Sequence, residues 1–404
     1  MSRPSRPVAF AFLSSRLLVW VAGAVSFRAF ALSSGTPTSA GDVAQRWGAL
    51  GDTLAAPAVR WDANWYLDIA HHGYRHEAIE PAFFPLYSVL IRGLSEVVRS
   101  EIVAAVAISL AAFAVVLVLL HRLTALELGP DVADRAVVLL AFFPTALFFS
   151  AVYTEALFLA LELGAFYAAR RGHWAWAGAL GALGSATRNT GWLLAPVLLM
   201  LYLYGPRADA ETPPTPGRSR AARIRPRHPI RPDVLWIALV PLGLVAYLVY
   251  MQVHFGDWLA PYHAQEYFQR TFDGPFSALW QGGEKAWHGL TGILDGSAAF
   301  GVAVRKIAQF LVVCGALAAA VGVLRRLPAV YGVYAGTALV LTLSFPYPPG
   351  PLASSLRYLV VVFPLFMWLA LVLRDKRAYV ATVAVFALGL AYCAGMFSTW
   401  HFVA

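Results

Sequence analysis

The amino-acid sequence predicts an all-α, polytopic membrane protein with about eleven transmembrane helices in a single domain, residues 1–404. Of its 404 residues, 59% are hydrophobic and only 13% are charged, whereas soluble domains carry about 25% charged residues. The mean hydropathy is +0.63. Apolar runs long enough to cross about 30 Å of hydrocarbon recur along the chain.

The first apolar run covers residues 8–32 and follows a short basic segment. It is too long for the apolar region of a signal peptide and lacks a convincing small-residue cleavage site, so we expect an uncleaved first span. Two arginines interrupt it. Arg28 is placed to extend towards the membrane surface, and Arg16 is expected to face protein or the cytoplasmic interface.

Ten further apolar runs are predicted to span the membrane. They cover residues 101–121, 133–150, 152–169, 174–188, 190–204, 234–254, 303–324, 328–344, 357–373 and 378–396. The run 82–98 is short, begins Pro-Ala-Phe-Phe-Pro and contains Arg92. We therefore assign it to a helix lying in or against the extracytoplasmic interface.

The distribution of positive charge supports this topology. With the N-terminus inside, the cytoplasmic segments hold 18 of the 31 Lys and Arg residues, as the positive-inside rule requires. Counting 82–98 as a span would instead place the seven arginines between Arg207 and Arg231 outside. The formal charge of +9 thus marks cytoplasmic loops rather than affinity for nucleic acid.

The longest cytoplasmic segment, 205–233, is rich in Pro and Arg and is predicted to be a disordered linker. Two large loops, 33–100 and 255–302, fall on the extracytoplasmic side. The polar residues of interest gather in these loops and in the shorter turns beside them. This distribution predicts a single extracytoplasmic site.

Residues 60–74 read Arg-Trp-Asp-Ala-Asn-Trp-Tyr-Leu-Asp-Ile-Ala-His-His-Gly-Tyr. Aromatic side chains at a bilayer edge are common anchors, but a carboxylate beside a membrane is costly to desolvate and usually serves a partner or chemistry. Asp62 is predicted to be a general base that removes a proton from an acceptor hydroxyl. The alternative is a carboxylate that lies at the surface or caps the N-terminus of a helix. On a helix, Asp62 would share a face with Trp65 and Tyr66.

Other polar residues of this motif have structural explanations. Asp68 would lie about 120° from the Asp62 face, where Arg60 or Arg75 is a suitable partner. His71 and His72 diverge on a helix and have no further ligand at metal-binding spacing nearby. A polar helix end that closes at the following glycine, in a left-handed conformation, is therefore favoured over a metal site.

A second group of charged residues lies at the extracytoplasmic ends of later spans. Glu155 follows a Phe-Phe-Pro break, where proline interrupts helical hydrogen bonding and predicts a kinked or re-entrant segment. Its alternatives are a helix-terminal contact or a pair with Arg188. Arg188 with Asn189, and Arg357 with Tyr358, are predicted to lie on the extracytoplasmic side. The positive-inside rule does not account for arginines on that side. Because the guanidinium fork matches phosphate oxygens, the two arginines together favour an anionic ligand over a purely interfacial role.

The loop 255–302 contains Pro-Tyr-His-Ala-Gln-Glu-Tyr-Phe-Gln-Arg at 261–270, together with Trp258, Trp280 and Trp287. Aromatic, amide and carboxylate groups suit stacking on a sugar ring and hydrogen bonding to its hydroxyls. His263 and Gln265 are the candidate binding residues. The same composition is also typical of an interfacial amphipathic helix.

Several functional classes have no signal in the sequence. There is no P-loop, no glycine-rich dinucleotide turn and no zinc motif. Cys314 and Cys393 both lie in apolar runs, where they are interpreted as small buried hydrophobic residues rather than a disulfide or a metal site.

The motifs, in their order and spacing, resemble those of the PIG-V-type mannosyltransferases. The resemblance extends over most of the chain and is specific for the family rather than for a substrate. The matching segments are 60–70 with 73–74, 83–87, 143–144 with 153–155, 188–191 and 357–358.

The resemblance implies a GT-C glycosyltransferase of bacterial type in the plasma membrane. Such an enzyme takes a sugar, typically mannose, from a polyprenyl-phosphate sugar and transfers it to a glycolipid or glycan acceptor on the extracytoplasmic face. The first-loop acidic residue of such enzymes corresponds to Asp62. The fold class implies inversion, and because a lipid phosphate leaves without a nucleotide diphosphate, no metal or other cofactor is required.

Within this scheme, Asp62 activates the acceptor hydroxyl, while Arg188 and Arg357 hold the departing phosphate. Glu155, His263 and Gln265 would position hydroxyl groups of donor or acceptor. The remaining candidate substrate-binding residues are Arg60, Trp61, Trp65, Tyr66, Asp68, His71, Asn189 and Tyr358.

Two other functional classes fit parts of the pattern. A transporter or flippase for a lipid-linked sugar would also show many spans, but transporters place ionisable residues at the middle of broken helices rather than in outer loops. A non-catalytic assembly partner would leave the Asp, His and Trp residues of 60–74 unexplained. Consumption of a sugar donor separates the enzyme from both.

Overall fold

The structure is a computed structural model that describes residues 5–30, 48–75, 77–209 and 226–403. Within these ranges every regular element is a helix. The α-helices are α1 Ser5–Ala29, α2 Gly48–Ala55, α3 Ala63–His72, α4 Pro85–Val98, α5 Glu101–Leu128, α6 Pro130–Phe142, α7 Glu155–Arg170, α8 Trp174–Ser185, α9 Leu194–Tyr204, α10 Leu242–Phe255, α11 Ala260–Tyr267, α12 Ser277–Leu294, α13 Phe300–Arg326, α14 Ala329–Leu343, α15 Ser355–Leu359, α16 Phe363–Val372 and α17 Lys376–Ser398. Short 3₁₀ helices cover Glu80–Ala82, Ala146–Phe149, Asn189–Leu193 and Pro232–Leu239.

Among the described residues, four helices are long and apolar enough to cross a membrane, namely α1, α5, α13 and α17. A fifth membrane-length element consists of the 3₁₀ helix Pro232–Leu239 and α10, which meet at a bend of 41°. These five coincide with predicted spans. The helical fold class and the integral-membrane character are therefore confirmed.

The other six predicted spans coincide with shorter helices of 10 to 16 residues, which are α6, α7, α8, α9, α14 and α16. At 1.5 Å per residue even 16 residues reach only about 24 Å. Irregular or 3₁₀ backbone interrupts several of the predicted runs. The continuous span expected over 133–150 ends at Phe142, because Pro144 follows. The total of about eleven spans stays a prediction.

The segment between α6 and α7 is a buried break in which one cation replaces helical hydrogen bonds. Arg16 of α1 donates from Nη1 to the Ala146 carbonyl at 2.9 Å and to Ser150 Oγ at 2.6 Å. Its guanidinium lies 4.5 Å from the centre of the Phe113 ring. Arg16 thus faces protein, one of its two expected environments, and serves backbone groups that helix geometry leaves unpaired.

The predicted disordered linker 205–233 is ordered at both ends, and its middle, 210–225, lies outside the described residues. Arg207 forms an ion pair with Asp209 at 2.5 Å, and its guanidinium lies 4.1 Å from the centre of the Tyr202 ring. The backbone N–H of Arg227 donates to the Leu203 carbonyl at 2.9 Å. Local charge pairing and backbone bonds to α9 hold these two ends, and the disorder of the linker stays a prediction.

The two extracytoplasmic loops of the sequence-based topology are largely helical. In the first, α4 is 14 residues long and buries one face through Tyr87, Ser88 and Ile91. In the second, the small residues of α12 pack against α13, so that the two helices approach closely. Elsewhere α1 packs along α17 and α5 against α7. These contacts bring the ends of α3, α7 and α15 together, where the candidate site forms.

Candidate active site

The turn that precedes α3 places Asp62 at the edge of the site. Trp61 has a positive φ of 57°, and the Ala63 N–H donates to the Arg60 carbonyl at 3.2 Å. Asp62 directly precedes the helix, but its side chain makes no capping hydrogen bond. Its Oδ2 instead lies 2.5 Å from Nη1 of Arg357. The capping alternative is therefore not observed, and the carboxylate is 28% exposed.

Arg357 of α15 joins two carboxylates that are far apart in the sequence. Besides its contact with Asp62, its Nε donates to Glu155 Oε1 at 2.5 Å. The guanidinium carbon lies 4.5 Å from the centre of the Tyr153 ring and 5.4 Å from that of Phe148. The planar fork and the aromatic surroundings fix the direction of the guanidinium.

Glu155 is the first residue of α7 and is fully buried. Its Oε1 also accepts a hydrogen bond from Nη1 of Arg188 at 2.9 Å, so two arginines share one oxygen. The other oxygen, Oε2, is buried and has no hydrogen-bond partner. A carboxylate oxygen buried without a partner is costly, which makes it a candidate for binding a substrate hydroxyl.

Two tyrosines complete the polar lining. The Tyr153 hydroxyl donates to the Arg60 carbonyl at 3.1 Å and accepts from the Asp62 N–H at 3.3 Å, so it holds the turn before α3 in place. Burial raises the pKa of Tyr66 to about 12, so its hydroxyl stays protonated at neutral pH. That hydroxyl lies 3.5 Å from Thr154 Oγ1.

A small cleft opens beside the Asp62–Arg357 pair. Its walls are mostly aromatic, and the last described residues of the chain form one side of it. The lining residues are Trp61, Asp62, Phe148, Tyr153, Arg357, Phe397, Phe402 and Val403. The indole Nε1 of Trp61 is buried there without a hydrogen-bond partner. The cleft thus places a carboxylate and a guanidinium beside flat apolar walls, in a space of about 20 Å³ that admits a water-sized group.

The structure brings together six of the residues predicted from the sequence, one of which is Trp61 in the wall of the cleft. Asp62, Glu155, Arg188 and Arg357 form one chain of ion pairs. Tyr358 joins them, since the Arg188 guanidinium lies 5.4 Å from the centre of its ring. The predicted pair of Glu155 with Arg188 is present, but it belongs to a larger network that also contains Asp62 and Arg357.

Other predicted binding residues lie apart from this network and have partners of their own. Asp68 pairs with Arg75 and accepts from His72 at 3.0 Å, and α3 closes at Gly73 with a φ of 78° and a ψ of −172°. That φ is positive as expected, although the ψ lies outside the left-handed helical region. His71 contacts Glu101 at 2.8 Å.

Arg60 is buried and serves the backbone rather than a carboxylate. Its Nε donates to the Ser398 carbonyl at 3.1 Å, and its guanidinium lies 5.0 Å from the centre of the Trp400 ring. Burial lowers its pKa to about 10, so it remains a cation at neutral pH. Trp65 stacks on Phe83 at 6.0 Å.

The remaining predicted residues are at the surface or only partly covered. His263 pairs with Asp257 at 2.7 Å in an exposed position. Asn189 is exposed, and Gln265 is half-buried on α11. Their substrate-binding roles stay predictions.

Sequence reasoning missed Tyr153 and Arg270 as site residues. Arg270 donates from Nη1 to the Tyr358 hydroxyl at 3.4 Å and from Nη2 to the Ala353 carbonyl at 3.3 Å. It is the last residue of the segment 261–270, so the signal was present. However, the sequence around a single arginine in a long loop does not indicate which residue that arginine contacts.

No group of three or more His, Cys, Asp or Glu side chains suited to a metal ion occurs within the described ranges. Both cysteines are free. Cys393 is buried and Cys314 is half-buried.

Residues 17–200 match the family model described as mannosyltransferase (PIG-V). Two curated relatives are named GPI alpha-1,6-mannosyltransferase 2. The one from Cricetulus griseus is 38% identical over 158 residues, which cover 36% of this chain and 32% of the relative. The one from Rattus norvegicus is 36% identical over 152 residues, 35% of this chain and 30% of the relative. The alignments thus span about a third of these relatives.

The fold is similar to that of an archaeal oligosaccharyltransferase from Archaeoglobus fulgidus. Its complex with an inhibitory peptide and a dolichol-phosphate gives a TM-score of 0.43 at 12% identity, over 97% of this chain and 56% of that chain. The form tethered to an acceptor peptide gives 0.45 at 12% identity, over 97% and 55%.

Proposed function

We infer that this chain is a membrane glycosyltransferase that moves mannose from a polyprenyl-phosphate mannose donor to a glycolipid or glycan hydroxyl. Its residues 17–200 match the family model of the PIG-V mannosyltransferases. The observation that carries this proposal is the position of Asp62. Its carboxylate is held by Arg357 at the edge of an aromatic cleft instead of capping its own helix. A fixed and partly exposed carboxylate is what a general base requires.

The reaction we propose is a single displacement with inversion. Asp62 Oδ2 is engaged by Arg357, and Oδ1 has no hydrogen-bond partner among the described residues. Oδ1 accepts the proton of the acceptor hydroxyl as the acceptor oxygen bonds to the anomeric carbon of the mannose. The bond from that carbon to the phosphate oxygen breaks, and the electron pair leaves with the polyprenyl phosphate.

The other charged groups orient this step. Arg357 fixes the carboxylate and, with Arg188, contributes positive charge where the leaving phosphate develops negative charge. Both remain tied to Glu155. The unpartnered Glu155 Oε2 and Trp61 Nε1 are suited to an acceptor and a donor hydrogen bond with sugar hydroxyls.

We place this site on the extracytoplasmic face of a bacterial plasma membrane, in a GT-C arrangement. The positive-inside distribution of Lys and Arg supports that orientation. In the same proposal the shorter helices complete about eleven membrane crossings, and α4 lies in the interface. Arg357 already supplies a cation to the site, so we propose that transfer requires neither a metal nor another cofactor.

The test is a transfer assay with the purified protein, polyprenyl-phosphate [14C]mannose and lipid and glycan extracts as acceptors. Label should move to a new product with the parent protein. Asp62→Asn should lower kcat by about 10²-fold to 10⁴-fold, the range attributed to general-base catalysis. The substitution removes the base but keeps the shape of the side chain, so donor binding and thermal stability should change little.

Glu96→Gln provides the matched control, because Glu96 is an exposed carboxylate of α4 in the same loop. It should transfer label like the parent. If Asp62→Asn retained activity within twofold of the parent, Asp62 would not be the base. If the parent consumed no donor with any extract, the mannosyltransferase proposal would fail, and transport of a lipid-linked sugar would be measured next.

A further inference from the structure

Arg270 differs from Arg188 and Arg357 in forming no ion pair with an acidic residue among the described residues. It follows α11, and its Nη1 and Nη2 donate to neutral oxygens, the Tyr358 hydroxyl at 3.4 Å and the Ala353 carbonyl at 3.3 Å. Asp273, the acidic residue three positions on, accepts from Gln281 at 2.8 Å instead. Within the described residues Arg270 is therefore a partly buried cation whose charge is not compensated.

The charges of the neighbouring network are already balanced. Arg188 and Arg357 face Glu155 and Asp62, two cations against two carboxylates. A phosphate that approached this network alone would meet no excess positive charge. On the side of Tyr358, Arg270 adds a further cation, which makes this group net positive and therefore attractive to an anion.

Tyr358 connects the two arginines that have unused donors. The guanidinium of Arg188 lies 5.4 Å and that of Arg270 5.6 Å from the centre of the Tyr358 ring. Contacts with an aromatic ring hold each guanidinium in place while leaving its N–H groups free to bind. Arg188 uses only Nη1 for Glu155, and the Tyr358 hydroxyl receives a hydrogen bond from Arg270, which leaves its own proton available.

We propose that Arg270, the Tyr358 hydroxyl and the free donors of Arg188 form the binding site for the phosphate of the lipid-linked sugar donor. This proposal rests on the proposed function and refines it. Arg357 serves mainly to orient Asp62 and Glu155, and Arg270 supplies the uncompensated charge that binds the phosphate. Each guanidinium and the hydroxyl is a donor that a phosphate oxygen can accept.

The experiment measures donor and acceptor kinetics for Arg270→Gln and Arg270→Lys. Arg270→Gln should raise the KM for polyprenyl-phosphate mannose by about 10-fold to 100-fold, the usual range for losing a charge-assisted hydrogen bond to an anion. The KM for the acceptor should stay within twofold. Arg270→Lys should recover part of the loss, because it restores the charge but not the fork.

A binding measurement separates the phosphate site from catalysis. Short-chain polyprenyl monophosphate, inorganic phosphate and phosphatidylglycerol are titrated against the purified parent and Arg270→Gln while tryptophan fluorescence is recorded. Polyprenyl monophosphate should bind the parent at least 10-fold more tightly than the variant, and more tightly than the other two ligands. Equal affinity for phosphatidylglycerol would instead assign Arg270 to a lipid headgroup, which overturns the proposal.

Arg305→Gln is the matched control, because Arg305 is an exposed arginine near the start of α13. It should leave the donor KM and phosphate binding unchanged. If Arg270→Gln were folded and kept the donor KM and the affinity for polyprenyl monophosphate within twofold of the parent, the proposal would be wrong. A parent that bound polyprenyl monophosphate through Arg270 but transferred no mannose would contradict the proposed function and leave the phosphate site standing.

Discussion

At the scale of single residues, Arg357 decides the geometry of the site because it touches both acidic residues that the sequence singled out. Its Nη1 lies 2.5 Å from Asp62 Oδ2 and its Nε 2.5 Å from Glu155 Oε1. A lysine, which has a single ammonium group, lacks the two separated donors of this fork. The choice of arginine therefore follows from the need to fix two carboxylates at once.

Glu155 provides a prediction about stability. Glu155→Gln removes the negative charge between Arg188 and Arg357 and leaves two mostly buried cations facing a neutral group. Breaking a buried ion pair in this way costs about 3–5 kcal/mol of unfolding free energy. We expect a clear fall in the thermal transition of the detergent-solubilised protein.

The control for Glu155→Gln is Asp257→Asn, which removes the carboxylate of an exposed pair with His263. Its thermal transition should stay close to that of the parent, because solvent screens exposed pairs. Equal transitions for both variants would show that the Glu155 network does not stabilise the fold.

The sequence singled out Asp62, Glu155, Arg188 and Arg357, because ionisable groups at the ends of apolar segments are unusual. It did not single out Tyr153 or Arg270. Tyr153 is one of 17 tyrosines, and its role depends on a hydrogen bond to the Arg60 carbonyl far away in the sequence. No local pattern encodes such a contact.

At the scale of elements, the 3₁₀ turn Asn189–Leu193 positions Arg188 by packing closely on the end of α8. A Cβ atom on Gly191 would lie 2.4 Å from the Gly184 carbonyl oxygen and 2.5 Å from the Ser185 nitrogen. Both are backbone atoms that cannot rotate away. Only glycine allows this approach, so the turn holds Arg188 against Glu155.

Gly191→Ala should therefore force the turn away from α8. Overpacking of this kind costs about 1–3 kcal/mol, and the displacement of Arg188 should also lower kcat/KM for transfer. Thermal unfolding and the transfer assay measure the two effects.

Gly93→Ala is the comparison for this variant, since a Cβ on Gly93 of α4 meets no atom within 4 Å. Replacing a helical glycine with alanine at such a position stabilises by roughly 0.5–1 kcal/mol. The two alanines should thus shift the thermal transition in opposite directions. A Gly191→Ala protein as stable and active as the parent would contradict the tight packing of this turn.

The break between α6 and α7 shows why hydropathy alone overestimated continuous spans. Residues 136–149 are apolar except for Thr145, but Pro144 cannot continue the helix. Arg16 then supplies donors to carbonyls of the break at 2.9 Å. The sequence predicted a kink after Pro144, but the arginine that supports it lies on another helix.

At the scale of the whole molecule, the positive-inside distribution predicts the orientation of every loop. Single cysteines are introduced by Glu96→Cys and Glu284→Cys in the two large loops and by Arg220→Cys in the 205–233 segment. The parent for this test carries Cys314→Ala and Cys393→Ala. A membrane-impermeant maleimide applied to intact cells should label the first two variants.

Arg220→Cys should react only after the cells are opened, because the arginine-rich segment is predicted to be cytoplasmic. The opposite labelling pattern would place the candidate site on the cytoplasmic face, and an extracytoplasmic donor would no longer be reasonable. Labelling of all three variants in intact cells would show that the reagent crosses the membrane. Samples of opened cells and samples with quenched reagent are therefore measured in parallel.

The sequence by itself determined the membrane-embedded helical class and the acidic and basic residues of the site, because hydrophobic length, charge sidedness and short motifs are local properties of a chain. Its short motifs also account for the match of residues 17–200 to a mannosyltransferase family model. Only the tertiary structure decided which of these residues meet. Arg357 reaches Asp62 across 295 positions and Glu155 across 202. Partners at that separation are chosen by how the helices pack and where their breaks fall. The same packing leaves Arg270 uncompensated beside Tyr358.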